Sequence, residues 1–463
     1  MSKRTPAASE VRATIKTSLL LGFGYLGEVV IGVTDKIMLG HLGPGELGAV
    51  GLALSVYEVI LLLGIGLLFP VIMLVSQARG SARSRTAPRI IRQGLWIAGL
   101  LSVPGGAVLW GLEEILLLAG QDPELARMAG HYMDYYLWTL FPALGAILFI
   151  YAFTGMDRGE VIVFLLWFEA GLNAVLNYLL IFGNFGFPAM GMAGAGLSSI
   201  IVYGTGYIAF FILLSFHRSF RSVAVFRRAW RPRWDILGEF LRLGWPKSFE
   251  NLMEIGVFSL AALLAGRIGV EAIASHTIAY EVYLVITITL SIAVANTVAS
   301  HEGFARERGD PSELWGIFYS GLVTIFLFML PLMVALKLFS PWVVTLFVGA
   351  GPEAQTLMPI AAPLLVLIAF FALVDGVRIV ATHASNGLSD MKAPALIMAL
   401  ASWGIGVPCG LLSMFAMDLG ILGFWLGLTM GMAAAALFSF MRFWWVVRHV
   451  RPVAGKGDVL SES

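Results

Sequence analysis

Twelve apolar stretches constrain this chain more than any other feature of its sequence. A helix that crosses a bilayer needs about 20 mainly apolar residues. Stretches of this kind lie near 13–39, 47–78, 90–118, 127–155, 160–183, 191–216, 236–265, 272–300, 313–339, 355–385, 393–416 and 420–447. Lipid offers no hydrogen bonds to backbone N–H and C=O groups, so such stretches form helices. We therefore predict an all-α polytopic membrane protein with twelve transmembrane helices.

The composition agrees with a membrane protein and excludes several other classes. Charged residues make up 13% of the chain, against about 25% in soluble domains. The net charge of +1 provides no field that would attract nucleic acid. The single cysteine, Cys409, excludes an intrachain disulfide bond and a cysteine metal cluster. An intramembrane enzyme would need a nucleophile–base pair or a metal-binding motif, and we find neither, so we predict no catalysis and no cofactor.

The distribution of basic residues among the connections predicts the orientation of the chain. Arginines concentrate around the second and sixth connections, at Arg79, Arg83, Arg85, Arg89, Arg92, Arg218, Arg221, Arg227, Arg228, Arg231 and Arg233. The first, third, fifth and eleventh connections carry mainly acidic residues. The positive-inside rule then places both termini and the even-numbered connections in the cytoplasm. We expect a multi-pass protein of the cytoplasmic (inner) membrane.

The two halves of the chain resemble each other. Residues 57–80 align without a gap on residues 280–303, and both segments begin with Tyr-Glu-Val. Six spans is an even number, so the two copies share an orientation and form a parallel repeat. We predict a cytoplasmic tail at 1–12, a six-helix lobe at 13–216, a basic cytoplasmic linker at 217–235, a second six-helix lobe at 236–450 and a tail at 451–463. Transporters use such paired bundles for alternating access.

Several carboxyl groups lie inside the apolar stretches. Placing an ionisable residue at the centre of a membrane helix costs about 2.5–3.5 kcal/mol, so such residues normally face the protein interior or a water-filled cavity. Residues four or seven apart share one helix face. The set that we single out has four acids in the second half and three in the first, namely Glu250, Glu254, Glu281, Asp375, Glu28, Asp35 and Glu58. This mostly acidic set predicts a cavity that favours cations, although each acid could instead serve only a structural hydrogen bond between helices.

Two basic residues stand close to these acids in the sequence. Lys247 lies three residues before Glu250, and Arg378 lies three residues after Asp375. Both spacings allow an ion pair on one helix. A carboxylate held in such a pair can be structural, so a binding and a structural interpretation of Glu250 and Asp375 both stay open.

Three motifs resemble the multidrug and toxic compound extrusion (MATE) family, near its NorM-like branch. They are Thr34-Asp35-Lys36-Ile37-Met38-Leu39-Gly40, Gly244-Trp245-Pro246 eight residues before Glu254, and Asp375 followed by Asn386-Gly387 and Asp390. The resemblance covers essentially all twelve spans. It implies two six-helix lobes around a cavity that opens alternately to each side. It also implies an Asp35 site in the amino-terminal lobe and a cation site at Glu254 and Asp375 in the other.

The sequence departs from this family pattern at several positions. Arg378 stands where the branch commonly has a neutral polar residue, which conflicts with sodium coordination by Asp375. Asn173 and Asn177 occupy fifth-span positions where another branch has Asn and Asp. Glu281 lies where eukaryotic members also carry a glutamate. These departures favour protons over sodium ions as the coupling ion.

The resemblance therefore implies a secondary antiporter that exports amphipathic organic cations in exchange for H⁺ or Na⁺, with a potential Na⁺ site at Glu254 and Asp375. We expect a monomer in the lipid bilayer with no nucleic-acid partner. The alternative is a flippase for an anionic lipid-linked sugar with the same two-lobe architecture. Its cavity would be rich in Arg and Lys, whereas only Lys247 and Arg378 are candidates here.

Overall fold

A computed structural model describes residues 8–81, 86–216, 231–308, 310–349 and 351–449, and these residues contain twelve long apolar helices and no strand. The helices α1–α12 are Ala8–Gly40, Gly45–Gly80, Ala87–Trp110, Pro123–Gly155, Gly159–Leu180, Met192–Phe216, Trp234–Ile268, Val270–Arg306, Pro311–Val348, Ala354–Gly387, Lys392–Ala416 and Gly420–His449. A short helix, Leu112–Leu118, follows α3 after a break at Gly111. The predicted all-α fold class and the twelve spans are confirmed.

Prolines interrupt two helices of the first half. In α2 a turn at Phe69 precedes Pro70, and the Phe69 N–H is shared between the carbonyls of Ile65 and Gly66. In α4 a tight 3₁₀ turn, Leu137–Thr139, comes shortly before Pro142. Proline lacks the N–H that a continuous helix would use, so the preceding turn changes its hydrogen bonding. These two spans are therefore helices with a built-in bend.

Three wide π-helical turns lie in the second half. One is Thr287–Ile292 in α8, and two are Ser402–Gly406 and Leu412–Ala416 in α11. A π-turn inserts an extra residue per turn and changes the direction in which the following side chains point. The turn in α8 comes directly after the segment that carries Tyr283.

The chain forms two compact units that do not divide at the linker. Unit 1 comprises Met1–Gly22 and Phe249–Ser463, and unit 2 comprises Phe23–Ser248. The boundaries therefore fall inside α1 and α7. Within unit 1 a Cβ atom on Gly22 would overlap the carbonyl oxygen of Thr289, and within unit 2 a Cβ on Gly244 would lie 2.6 Å from the carbonyl oxygen of Leu67. Glycine thus lets the first part of each helix pack closely within its unit.

The lobe boundaries expected from the sequence, 13–216 and 236–450, stay a prediction. Residues 1–7 of the expected amino-terminal tail lie outside the described residues, as do 217–230 of the linker and the carboxy-terminal tail 451–463. The linker residues that are described include Arg231 and Arg233. In unit 2 the Gln93 side chain donates to the Arg231 carbonyl and accepts from the Arg233 N–H.

An aromatic group forms the centre of unit 1. Phe258, Tyr283, Phe371 and Trp425 are each at most 5% exposed. Phe371 packs edge-on against Trp425 with ring centres 5.1 Å apart, and Tyr283 packs against Phe371 at 5.2 Å. Such pairs prefer tilted or edge-to-face geometry, which fixes the ring orientations. This packing holds the Tyr283 ring in place beside the charged residues described next.

Candidate functional sites

Unit 1 contains an arginine cluster, which we define as Arg378, Asp375, Glu250, Glu254 and Tyr283. Helix α10 supplies Arg378 and Asp375, α7 supplies the two glutamates, and α8 supplies Tyr283. The three-residue and four-residue spacings place each pair on one face of its own helix. The packing of α7, α8 and α10 then brings these three faces together.

Arg378 is the centre of the arginine cluster. Its Nε lies 2.6 Å from Asp375 Oδ1, its Nη1 lies 3.6 Å from Glu250 Oε1, and its Nη2 lies 3.2 Å from Glu254 Oε2. The guanidinium therefore distributes its donors over three carboxylates. The three carboxylates outnumber the single guanidinium, so the cluster carries a formal charge of −2 when all are ionised.

Accessibility differs within the arginine cluster. The side chains of Arg378, Asp375 and Glu250 are each at most 2% exposed, whereas that of Glu254 is 24% exposed. A buried charge without a partner is very costly, so the two buried acids depend on Arg378. Glu254 is therefore the most accessible carboxylate of this cluster.

The Tyr283 hydroxyl bridges two acids of the cluster. It lies 2.8 Å from Asp375 Oδ2 and 3.4 Å from Glu254 Oε1. A phenol has one hydrogen to donate, so at any moment it serves one of these acids, and the shorter contact favours Asp375. Tyr283 can therefore respond when the charge of either carboxylate changes.

Unit 2 contains an asparagine site, which we define as Asp35, Asn173 and Asn177. Asp35 Oδ1 accepts hydrogen bonds from Asn173 Nδ2 at 2.9 Å and from Asn177 Nδ2 at 2.6 Å. Both asparagines are fully buried on α5, and Asp35 is half-buried on α1. Two amide donors on one carboxylate oxygen stabilise its ionised form while the other oxygen stays available to a ligand.

Several tyrosines of unit 2 lie near the asparagine site. Electrostatic interactions connect Asp35 to Tyr132, Tyr136 and Tyr203. The rings of Tyr132 and Tyr136 stack with centres 5.1 Å apart, and Tyr57 packs edge-on against Tyr136 at 4.8 Å. Aromatic faces attract cations. The asparagine site thus combines one carboxylate with neighbouring tyrosine rings.

Two further predicted residues, Glu281 and Lys247, are not among the five that define the arginine cluster. Glu281 is half-buried on α8 and is not among the side chains that surround Arg378 in the described part of the chain. Lys247 belongs to unit 2, where its Nζ lies 5.5 Å from the ring centre of Phe69. The predicted pair between Lys247 and Glu250 joins residues of different units and stays a prediction. Glu250 itself contacts Arg378.

Sequence reasoning missed three residues that the structure makes prominent. Tyr283 lies in the arginine cluster and gives no signal in the sequence. Glu169 lies four residues before Asn173 on α5 and is 2% exposed, so the helical spacing could have found it. Glu302 on α8 is fully buried, and neither of its carboxyl oxygens has a hydrogen-bond partner in the described residues.

Twelve helices long enough to cross a membrane, with ionisable side chains clustered inside two packed units, define a multi-pass membrane transporter. Residues 21–179 and 246–412 match the MatE family model. A relative from Rhizobium meliloti (strain 1021), named "Probable multidrug resistance protein NorM", is 34% identical over 94% of this chain and 94% of its own length. The chain belongs to the MatE family of membrane transporters.

Solved structures share the fold. A variant of the Vibrio cholerae MATE transporter VcmN superposes with a TM-score of 0.86 at 18% identity, covering 95% of this chain and 98% of that one. A MOP superfamily transporter from Pyrococcus furiosus superposes with a TM-score of 0.86 at 19% identity, covering 95% and 96%. The latter is described as having a binding pocket of reverse polarity that suggests a different function. The polarity of each site must therefore be read from this chain's own residues.

Proposed function

We propose that this protein is a multidrug efflux antiporter that exports amphipathic organic cations by alternating access, in exchange for protons. The membership of the MatE family and the name of the Rhizobium meliloti relative support multidrug efflux. Three parts of the proposal rest on the residues of the two sites: the charge of the substrate, the exchange and the coupling ion. We also propose a monomer in the cytoplasmic membrane with both termini in the cytoplasm.

The acidic character of both sites is the observation that supports a cationic substrate. The arginine cluster holds three carboxylates around one guanidinium, and the asparagine site holds Asp35 with two amide donors and no basic partner among them. An anionic lipid-linked sugar would meet net negative charge in both places. A cation would be attracted to both, so the residues favour a cation exporter over the flippase alternative.

The position of Arg378 favours protons over sodium ions. A Na⁺ bound to Asp375 and Glu254 would lie close to the guanidinium that contacts both carboxylates. Two like charges about 4 Å apart repel by about 4 kcal/mol at an effective dielectric constant of about 20. A proton bonds covalently to one carboxyl oxygen and needs no such space. Glu254 is the more accessible of the two acids and is the proposed point of entry.

Proton binding at Glu254 would alter the connection between α7 and α10. A neutral Glu254 no longer pairs with Arg378 Nη2, which leaves the guanidinium to Asp375 and Glu250. Tyr283 contacts both Glu254 and Asp375, so α8 responds as well. An ion shifts a conformational equilibrium only if it binds the two states with different affinity. The two states would bind the proton with different affinity if the contact between Glu254 and Arg378 is present in one state and broken in the other.

The test is transport in proteoliposomes that contain the purified full chain and ethidium as a fluorescent cation. A pH gradient and a Na⁺ gradient are imposed separately, each with the membrane potential clamped. We expect the pH gradient to drive ethidium transport and the Na⁺ gradient to have no effect. Transport driven by Na⁺ alone would overturn the choice of ion, and the absence of gradient-driven transport would overturn the antiport.

A further inference from the structure

Glu169 is a buried carboxyl group that the asparagine site does not use. It is 2% exposed, and its Oε1 is shielded from solvent without a hydrogen-bond partner in the described residues. A Cβ atom on Gly206 of α6 would overlap this oxygen, so the carboxyl is packed between α5 and α6 rather than directed at lipid. An ionised carboxylate in such a place needs a compensating positive charge.

Helix α5 places Glu169 in line with the asparagine site. Glu169, Asn173 and Asn177 follow one another at four-residue intervals, which puts them on one helix face. Since a helix rises about 1.5 Å per residue, Glu169 lies roughly 6 Å along the axis from Asn173. The polar face that holds Asp35 therefore continues one turn further to Glu169.

Helix α1 packs against α5 in a register that brings a second carboxyl to Glu169. A Cβ on Gly24 would lie 3.5 Å from Val163, and a Cβ on Gly27 would lie 3.1 Å from Leu166. This close approach of the two helices places the α1 turn that follows Gly27 beside the α5 turn that carries Glu169. Glu28 interacts electrostatically with Glu169 in this arrangement.

The groups that face Glu169 include no basic residue in the described part of unit 2. Electrostatic interactions connect Glu169 with Glu28 on α1 and with Tyr203 on α6. From α4, Tyr151 interacts with Glu28. Glu169 is cut off from solvent, and Glu28 is a second carboxylate that acts on it, so ionised Glu169 is unsolvated and is repelled by ionised Glu28. One proton bound to the pair removes this repulsion.

We propose that Glu28 and Glu169 form a proton site in unit 2, separate from Asp35 and additional to Glu254 of unit 1, in which the two carboxyl groups share one exchangeable proton. The Oε1 atom of Glu169, which has no hydrogen-bond partner in the described residues, is the oxygen that would bind this proton. The site deepens the proposed function, because it adds a proton to those that the transporter exchanges for its substrate. The proton binding itself does not depend on transport.

The test uses the infrared bands of protonated carboxyl groups. Difference spectra between acidic and alkaline buffer are recorded on the purified full chain in lipid, without substrate, for wild type, Glu169→Gln, Glu28→Gln and the double variant. We expect each single variant to lose one carboxylic acid band and the double variant to lose no more than either, since the two residues share one proton. Glu160→Gln, an exposed change on the same helix, should keep the wild-type spectrum.

Several results would overturn the proposal. Unchanged bands in folded Glu169→Gln and Glu28→Gln would show that the pair binds no proton. Loss of the band on addition of Na⁺ at constant pH would assign the site to a metal ion. If Glu169→Gln does not fold, Glu28→Gln decides the question alone, because Glu28 is exposed and tolerates replacement more readily.

A transport assay separates this proposal from the proposed function. Failure of ethidium transport by the wild type would refute the antiport and leave the infrared result standing. If the wild type transports, Glu169→Gln should move fewer protons per ethidium than wild type. Glu160→Gln should keep the wild-type ratio.

Discussion

Arg378 Nε lies 2.6 Å from Asp375 Oδ1, three residues earlier on the same helix. This contact orients the guanidinium so that its other nitrogens reach Glu250 and Glu254 on α7. Helices α7 and α10 are thus joined through one charged side chain that is 2% exposed. Neutralising any one of the three acids would redistribute the donors of Arg378 and so change the contact between the two helices.

Replacing Glu254 by glutamine removes a titratable group while keeping size and polarity. We expect Glu254→Gln to fold and insert but to lose gradient-driven ethidium transport, because the accessible acid of the arginine cluster can no longer take up a proton. Proteoliposome transport measures this. Glu239→Gln, an exposed change on the same helix, serves as the control. Near-normal transport by Glu254→Gln would refute the assignment of Glu254 as the acid that takes up the coupling proton.

Removing Arg378 should destabilise the protein strongly. Breaking a buried ion pair by deleting one partner costs about 3–5 kcal/mol, because the remaining charge is uncompensated. We expect Arg378→Gln to lower the melting temperature markedly and Arg378→Gln/Asp375→Asn to recover part of the loss. Arg127→Gln deletes an exposed pair with Glu124 and should change little. Equal melting temperatures for Arg378→Gln and Arg127→Gln would contradict the observed cluster.

Removing the hydroxyl of Tyr283 tests its bridging role. A hydrogen bond to a charged group contributes about 1.5–3 kcal/mol. We expect Tyr283→Phe to keep the aromatic packing but to slow proton-coupled transport by about ten- to a hundredfold. Tyr319→Phe, on an exposed part of α9, should transport normally. A Tyr283→Phe variant with wild-type rates would show that the hydroxyl contributes only to packing.

We expect the asparagine site and the arginine cluster to have different roles in transport. We expect Asp35→Asn to weaken ethidium binding mainly, because Asp35 lies among tyrosine rings and amide donors, and Glu254→Gln to remove ion coupling mainly. Ethidium and proton binding are measured separately on each purified variant. Asp134→Asn, exposed on α4, is the control for Asp35. If Asp35→Asn kept ethidium affinity and lost proton binding, the roles would be the reverse.

Glu302 offers a test of an unpartnered buried carboxyl. Both of its oxygens lack a hydrogen-bond partner in the described residues, so burial of this group costs free energy that no observed contact offsets. We expect Glu302→Leu to raise the melting temperature. Glu271→Leu, an exposed change on the same helix, should not. A lower melting temperature for Glu302→Leu would mean that the carboxyl has a stabilising partner.

The amino-acid sequence by itself determined the helical architecture and the local pairings. Continuous apolar stretches of about 20 residues specify twelve helices, because a helix of that length crosses the bilayer and satisfies its backbone hydrogen bonds within the stretch itself. The helical period alone places Glu250 with Glu254 and Asp375 with Arg378 on shared faces. The family motifs added the expectation that Asp35, Glu254 and Asp375 matter.

Only the tertiary structure decided which of these faces meet. Arg378 contacts Glu254 although 124 residues separate them, and neither Tyr283 nor Glu169 could be assigned a partner from its neighbours in sequence. The division of the chain inside α1 and α7 likewise depends on close backbone contacts at Gly22 and Gly244. The physical reason is that helix periodicity fixes a face only relative to its own axis. The rotation and depth of each helix against the next are set by packing, which no local pattern records.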